Sequence, residues 1–392
     1  MSLRYTGSVS KEFDGKFACL TIADSKYLSQ VLVLAESFYK FHPNADFYFI
    51  SLDNFSNYKV SNSRVLTLDL NELGIPPKIL QNMQSYYDVV ELATALKPWA
   101  LLKVLELNYD CSIYLDPDIL VTNSLEKALE SASKYGMALT PSRINLGESF
   151  IPDGDELGLL RYGSFNLGFV ACTLKSKDIL LWWQKRLIWY STRAKYHFHF
   201  TDQKWMDILP SSKKIGILND YGFNLTLVNL NERKLSYKNR KIYANENLLV
   251  FVHFIQNSEK LKKKRVTTRL SDLTESSNSA AIYSYLTQDY VNRLTKVSES
   301  LPSEDAIGYN VKYKSILVRE YLRQRSIKRY IETQEISEIK FSWFLKIFSY
   351  IFIPFEKSFT FQFAIFGFMS DVKRVRAKLA DKHLTDIRVR KL

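Results

Sequence analysis

Cys111-Ser-Ile-Tyr-Leu-Asp-Pro-Asp-Ile-Leu-Val121 decides how the chain is read, because two carboxylates one residue apart interrupt a run with the apolar character of a buried strand. Ionised carboxylates at the end of an apolar strand must be solvated, paired or bound to a cation, and each raises the other's pKa unless positive charge lies between them. Residues i and i+2 of an extended segment point the same way, so Asp116 and Asp118 can reach one ion together. Pro117 fixes its own φ and steers Asp116 away from helix, which stiffens the turn. Oxygen ligands of this kind suit Mg²⁺ or Mn²⁺, ions that keep open positions for substrate phosphates. The plainer alternative is a strand-ending turn in which Asp and Pro serve conformation alone.

Working outward, Phe17-Ala-Cys-Leu-Thr-Ile22 reads as a buried strand, and Asp24-Ser25 as the cap of a helix running to about Phe41 with Val31, Leu34, Ala35 and Phe38 on one face. Residues 47–52 and 65–70 are further strands, and a helix over about 93–107 precedes the Asp-Pro-Asp strand. This alternation predicts an α/β fold with a mainly parallel sheet, in which ligands bind beyond the carboxyl ends of strands. Asp24 and Asp116 both fall at such ends. Residues 142–163, rich in Gly, Pro, Asp and Glu, read as a loop over the site that could order as a lid. A strand over 165–173, a helix over 177–190, a short helix over 201–210 stopped by Pro210 and a last core strand over 248–254 complete the pattern.

The 392 residues are 46% hydrophobic, ample for a core, and suit one α/β domain plus an appendage. Cys19, Cys111 and Cys172 sit inside apolar runs without CxxC spacing, which favours reduced core thiols over disulfides or zinc. The opening Met1-Ser-Leu-Arg-Tyr-Thr-Gly-Ser8 is polar and has no signal or transit pattern, so a cytoplasmic protein is expected. The net charge of +13 is uneven: residues 1–260 hold 29 Lys+Arg against 27 Asp+Glu, and residues 261–392 hold 25 against 14. The chain therefore divides into a near-neutral region, 1–260, and a basic, mainly helical region, 261–392. In the latter, residues 341–355 and 359–369 are intensely aromatic but each too short to span a bilayer, and Lys373, Arg374, Arg376 and Lys378 follow. Aromatics beside cationic residues fit an interfacial anchor on an anionic membrane, peripheral on its inner face; a core helical hairpin or an oligomer contact is the alternative.

Tyr114-Leu-Asp-Pro-Asp-Ile-Leu-Val121 resembles the DxD segment of GT-A (Rossmann-like) glycosyltransferases, particularly the family-eight type that uses nucleotide-sugar donors, and segments between about residues 15 and 256 fall in that family's order. The resemblance implies a base contact for Asp24, whose plainer role is a helix cap, and a diphosphate contact for Lys97 in Ala95-Leu-Lys-Pro-Trp99, otherwise a solvated charge. Ser164-Phe-Asn-Leu-Gly-Phe169 resembles the segment lining the sugar pocket, where the Asn166 amide would read hydroxyls and Gly168 would let substrate approach the backbone. Asp202-Gln203 matches the pair beneath the anomeric carbon: Gln203 would support the oxocarbenium ion, and Asp202 would hold a hydroxyl if it is not simply a helix cap. His253 stands where the family has its third metal ligand, and imidazole tilts the choice towards Mn²⁺. The chain departs from the family after this histidine, where Phe254-Ile-Gln-Asn-Ser-Glu-Lys260 replaces Gly and Lys-Pro-Trp, leaving Lys260 or Lys262 as substitutes for phosphate contacts. His197 and His199 are read as acceptor-site or structural residues.

The expected activity is transfer of a sugar, with retention, from a nucleotide-diphosphate sugar such as a UDP-sugar to a hydroxyl of a cell-surface glycan or lipid-linked acceptor. An inverting enzyme would instead need a base such as Asp153, Asp155 or Asp202. Two rivals come from other classes. One is a non-catalytic sugar-binding or scaffold protein on the same fold, and the other a nucleic-acid binder through the basic tail. The tail has no recognisable nucleic-acid motif, so no nucleic-acid partner is expected.

Overall fold

Phe17–Ala23 is apolar except at Thr21 and forms strand β1 in the middle of a sheet, covered on both faces. The computed structural model describes residues 13–53, 64–145, 154–193, 200–255, 273–274, 277–301, 308–340 and 342–352. Around β1 stand β2 (Asp46–Ser51), β3 (Val65–Leu68), β4 (Cys111–Leu115), β6 (Met137–Pro141), β7 (Phe165–Cys172) and β8 (Gly216–Ile217), in the order β3-β2-β1-β4-β7-β6-β8. β7 runs antiparallel to both β4 and β6, and the other pairings are parallel, so the sheet is mixed and mainly parallel as expected.

Helices cover both faces. On one lie α2 (Pro77–Tyr86), α3 (Val89–Leu105) and α6 (Lys177–Leu187), which share a core with β1, β4 and β7. On the other lie α1 (Leu28–Phe41) and α4 (Glu126–Tyr135). α3 starts four residues before the expected 93, at a capping box: Asp88 accepts from the Val90 and Glu91 amides, and Glu91 accepts from the Asp88 amide. The helix is apolar nearly all round because it is buried nearly all round.

The quoted stretch is not one strand. After β4 the chain turns at Asp116-Pro117-Asp118 and enters β5 (Ile119–Val121), which leaves the large sheet and pairs antiparallel with β12 (Phe251–His253). The expected strand over 248–254 is likewise divided: β11 (Asn247–Leu248) belongs to a small sheet with β9 (Leu235–Lys238) and β10 (Lys241–Ala244). The expected loop over 142–163 contains a helix, α5 (Gly154–Tyr162), closed by Gly163 at a φ of +115°. Its signals, acidic residues in the first turn and Arg161 in the last, were hidden by glycine-rich composition.

The C-terminal region is helical where described, with α7 (Ser279–Ser300), α8 (Ile316–Thr333) and α9 (Trp343–Phe352). α7 packs through Ile282, Leu286, Tyr290 and Leu294 against Val33, Leu120 and Phe254. α8 buries Val318, Leu322 and Ile327 against the core of the large sheet, and Arg319 pairs with Glu91 at 2.9 Å. These helices share the cores of the preceding region. No helix among the described residues is long and apolar enough to cross a membrane. All three cysteines are buried and free.

Candidate metal and sugar site

The site begins with backbone hydrogen bonds. The Asp116 amide donates to the Gly168 carbonyl at 2.8 Å, the Ile119 amide closes the turn on the Asp116 carbonyl at 3.1 Å, and the Phe254 amide donates to the Asp118 carbonyl at 2.9 Å. The β5–β12 register sets His253 opposite Ile119. Together these aim three side chains at one point. Ligand atoms of Asp116, Asp118 and His253 lie within 4.8 Å of one another, and His253 Nε2 stands 3.1 Å from Asp118 Oδ1 and 3.6 Å from Asp116 Oδ2. His253 is buried, which opposes its charged form, yet Asp118 and then Asp116 outweigh this and raise its pKa. Two carboxylates and an imidazole, partly open to a cavity, are a donor set that fits Mn²⁺ or Mg²⁺.

Gly168 serves the imidazole. A Cβ there would stand 2.3 Å from His253 Cε1 and 2.7 Å from Nδ1, so the ring occupies the space that the missing side chain leaves. Gly168 also lines the cavity, so beside the expected approach of substrate it has a packing reason. Its segment is also a bulge: β6 pairs Leu139 with Val170 but Thr140 with Asn166, so Leu167, Gly168 and Phe169 drop out of that ladder. The Leu167 carbonyl binds Lys97, and the Gly168 carbonyl carries the β4–β7 pairing on to the Asp116 amide.

Lys97 projects from α3 into the buried interior. Its Nζ donates to the Leu167 carbonyl at 2.8 Å and lies 2.9 Å from Asp202 Oδ2, 3.6 Å from Asp116 Oδ1 and 4.5 Å from the Tyr114 ring centre. Burial disfavours the ammonium, but Asp116 and Asp202 together outweigh it and raise the pKa. An ammonium so enclosed does not stand free for a diphosphate, the contact expected of it. Instead it joins the metal-facing carboxylate to Asp202. Asp202 stands before the 3₁₀ helix Gln203–Ser211 but makes no capping hydrogen bond, so the capping reading fails there. The expected short helix is 3₁₀ and extends one residue past Pro210.

Gln203 donates through Nε2 to the Tyr162 carbonyl at 2.9 Å, and its Oε1 is 3.5 Å from the Leu167 amide, a long contact that leaves the oxygen weakly committed. Asn166 Oδ1 accepts from the Gly168 amide at 2.9 Å. Asp116, Asp118, His253, Lys97, Asn166, Gly168, Asp202 and Gln203 all line one cavity of 660 Å³. Asp24 is not among the residues lining it. Asp24 is buried, precedes the short turn Ser25–Tyr27 without capping it, and accepts from the Tyr309 amide at 3.0 Å.

Sequence reasoning missed several residues of the site. Tyr114 donates to Asp116 Oδ1 at 2.6 Å, and its position two residues earlier on the same strand face was the signal. Arg161, Tyr162, Arg193 and Phe200 also line the cavity, and nothing local marks them. His197, His199, Asp153, Lys260 and Lys262 lie outside the described residues, as does the side chain of Asp155.

In structure the chain resembles glycosyltransferases of the GT-A type. One is the galactosyltransferase LgtC, solved with donor and acceptor sugar analogs, at 18% identity over 73% of this chain and 98% of that one, with a TM-score of 0.39. Others are the glycosyltransferase GlyE of Streptococcus pneumoniae TIGR4, at 16% identity over 74% and 66% with a TM-score of 0.42, and the bifunctional WbbM, at 13% over 75% and 53% with 0.41. No protein-family model matches the chain, and no curated protein sequence does.

Proposed function

We propose that the protein is a metal-dependent glycosyltransferase that moves a sugar, with retention, from a nucleotide-diphosphate sugar to a hydroxyl of a cell-surface glycan or lipid-linked acceptor. A UDP-sugar is the donor that the family resemblance favours. The observation that carries the reading is the convergence of Asp116, Asp118 and His253 in the wall of a 660 Å³ cavity that also presents Asn166, Asp202 and Gln203. Bound Mn²⁺ or Mg²⁺ would supply Lewis-acid stabilisation of charge on a departing diphosphate.

The chain's own residues supply positioning. Tyr114 and Lys97 hold Asp116, and Lys97 also holds Asp202, so one buried ammonium ties the carboxylate of the proposed metal site to that of the proposed sugar site. The Asn166 amide nitrogen, left over once Oδ1 has taken the Gly168 amide, can donate to a sugar hydroxyl. The weakly held Gln203 oxygen can turn its negative end towards positive charge developing at the anomeric carbon.

A screen of nucleotide sugars for hydrolysis and transfer with Mn²⁺ tests the proposal. Release of nucleoside diphosphate that disappears in EDTA and in Asp118→Asn is expected. Donor binding without turnover would favour the sugar-binding alternative, and no binding would sink both.

We further propose that the enzyme works at the inner, cytoplasmic face of the cell membrane. Trp343, Phe344, Ile347 and Tyr350 of α9 are exposed at helical spacing, with 70% of Trp343 open to solvent.

A further inference from the structure

Four apolar side chains stand open at the mouth of the cavity. Val90 lies in the first turn of α3, Tyr162 ends α5, Val228 precedes the turn Leu230–Glu232 and Ile255 follows β12; all four line the cavity, and each is 36–57% exposed. A single exposed apolar residue is ordinary, whereas four that different elements bring to one opening mark a surface kept for an apolar partner. The rim adjoins the proposed sugar site. The Tyr162 carbonyl accepts from Gln203 Nε2 at 2.9 Å, and the Tyr162 ring meets that of Phe200 edge-on with centres 4.8 Å apart.

The charges of the lining describe the partner's other half. Once a metal takes Asp116, Asp118 and His253, and Lys97 takes Asp202, the charged side chains that remain among the described lining residues are two guanidiniums, Arg161 and Arg193. Arg193 is built into place. Its amide donates to Glu91 Oε1 at 3.0 Å, and its Nε and Nη2 both stand 3.0 Å from Asp88 Oδ2. Asp88 and Glu91 form the capping box of α3, and Glu91 is pinned in turn by Arg319 of α8 at 2.9 Å. With two of its three nitrogens spent on one carboxylate oxygen, a half-open guanidinium keeps Nη1 for an anion in the cavity. Arg161 is exposed and its guanidinium stands 5.1 Å from the Tyr162 ring centre, so cation and apolar rim are neighbours.

We propose that the acceptor is an anionic amphiphile, a saccharide joined through a phosphate to an aliphatic chain, whose phosphate binds Arg193 and Arg161 and whose chain leaves across Val90, Tyr162, Val228 and Ile255. This rests on the glycosyltransferase reading and commits its acceptor to one chemical class. A nucleotide sugar has no aliphatic chain, so the donor makes no use of the apolar rim, and a free saccharide has neither chain nor phosphate. Arginine suits the phosphate because its planar fork offers paired donors and keeps its charge.

Titration of the full-length protein in EDTA, where no metal holds phosphate, tests this with inorganic phosphate and with decyl phosphate and decyl maltoside below their micellar concentrations. Decyl phosphate should bind about tenfold tighter than either of the others, because it alone joins an anion to a chain. Arg193→Gln should remove that advantage while decyl maltoside binds as before. Val228→Ser/Ile255→Ser should weaken both alkyl probes about tenfold and leave inorganic phosphate unaltered. Both of those residues are exposed, so this variant reads the rim even where Arg193→Gln does not fold. Since the open face of α9 also takes alkyl chains, the loss on changing cavity residues, rather than binding itself, assigns the site. UDP with Mn²⁺ should bind the decyl phosphate complex as tightly as the free protein. Displacement of decyl phosphate by UDP, or a marked weakening of UDP by Arg193→Gln, would give the arginine to the donor's diphosphate and overturn the proposal. Equal binding of the three probes, or folded variants that bind decyl phosphate as the parent does, would overturn it too. Failure of every nucleotide sugar to bind would overturn the glycosyltransferase reading itself, on which the proposal rests.

Discussion

At the scale of single residues, two positions matter for reasons other than those their types announce. Gly168 is the seat of the His253 ring, so Gly168→Ala must displace the imidazole. Mn²⁺ affinity is expected to fall roughly 10- to 100-fold, as when other supports of metal ligands are lost, with about 1–3 kcal/mol lost to crowding of the buried ring. Titration of Mn²⁺ against the variant checks this, and unaltered affinity would remove His253 from the metal site. Lys97 is an interior counter-ion: it is 2% exposed and faces Asp202, whose side chain is 3% exposed. Lys97→Met would leave that carboxylate buried and uncompensated, at a cost of about 3–5 kcal/mol in denaturant unfolding. Lys97→Met/Asp202→Leu should recover much of the loss. A single variant as stable as the parent would show that the pair is not what neutralises Asp202.

At the scale of elements, the site depends on helix and strand ends held together by few contacts. His42 is one. It caps the end of α1, packs between Phe17 and Phe38, and accepts through Nε2 from the amide of Leu125, the residue just before α4, at 3.0 Å. Burial lowers its pKa to about 4, against 6.5 for an ordinary histidine. The folded state therefore favours neutral imidazole, while the unfolded chain takes up a proton below about pH 6.5. The stabilisation is present in full above that pH and is lost as pH falls towards 4, on the order of 3 kcal/mol across the window. Thermal melts from pH 7 to pH 4 should show this slope, and His42→Leu should flatten it. An identical slope in the variant would place the pH dependence elsewhere.

For the whole molecule, the helices α7 and α8 are part of the architecture that carries the site, whereas α9 seats Leu345 on the core and exposes Trp343, Phe344, Ile347 and Tyr350 on its other side. The boundary between these roles is set by Asn82, which is fully buried, donates to the Ser337 carbonyl at 2.9 Å and accepts from the Ile339 amide at 2.8 Å. Truncation after Lys340 keeps these bonds. The truncated protein is expected to fold and to bind nucleotide but to lose the salt-sensitive co-sedimentation with anionic vesicles expected of the full chain. Each of Lys373, Arg374, Arg376 and Lys378, which lie outside the described residues, would add about 1 kcal/mol of attraction near such a surface. Undiminished vesicle binding, or unfolding, would return residues 341–392 to a structural role.

The sequence by itself determined the features that a few consecutive residues encode. Buried strands alternating with helices gave the mainly parallel sheet, and the Asp116-Pro117-Asp118 interruption marked a strand end facing the cavity, because hydrophobic period and turn chemistry are local. His253 could be named as a third ligand only through family resemblance, since its place beside Asp118 comes from an antiparallel register between distant strands. Only the tertiary structure decided that Lys97 neutralises Asp202, that Gly168 makes room for an imidazole, and that the Tyr309 amide of the C-terminal region reaches Asp24. The physical reason is the same in each case. The partner of a buried charge or ring is set by strand order and helix docking, which bring together residues that no local pattern relates.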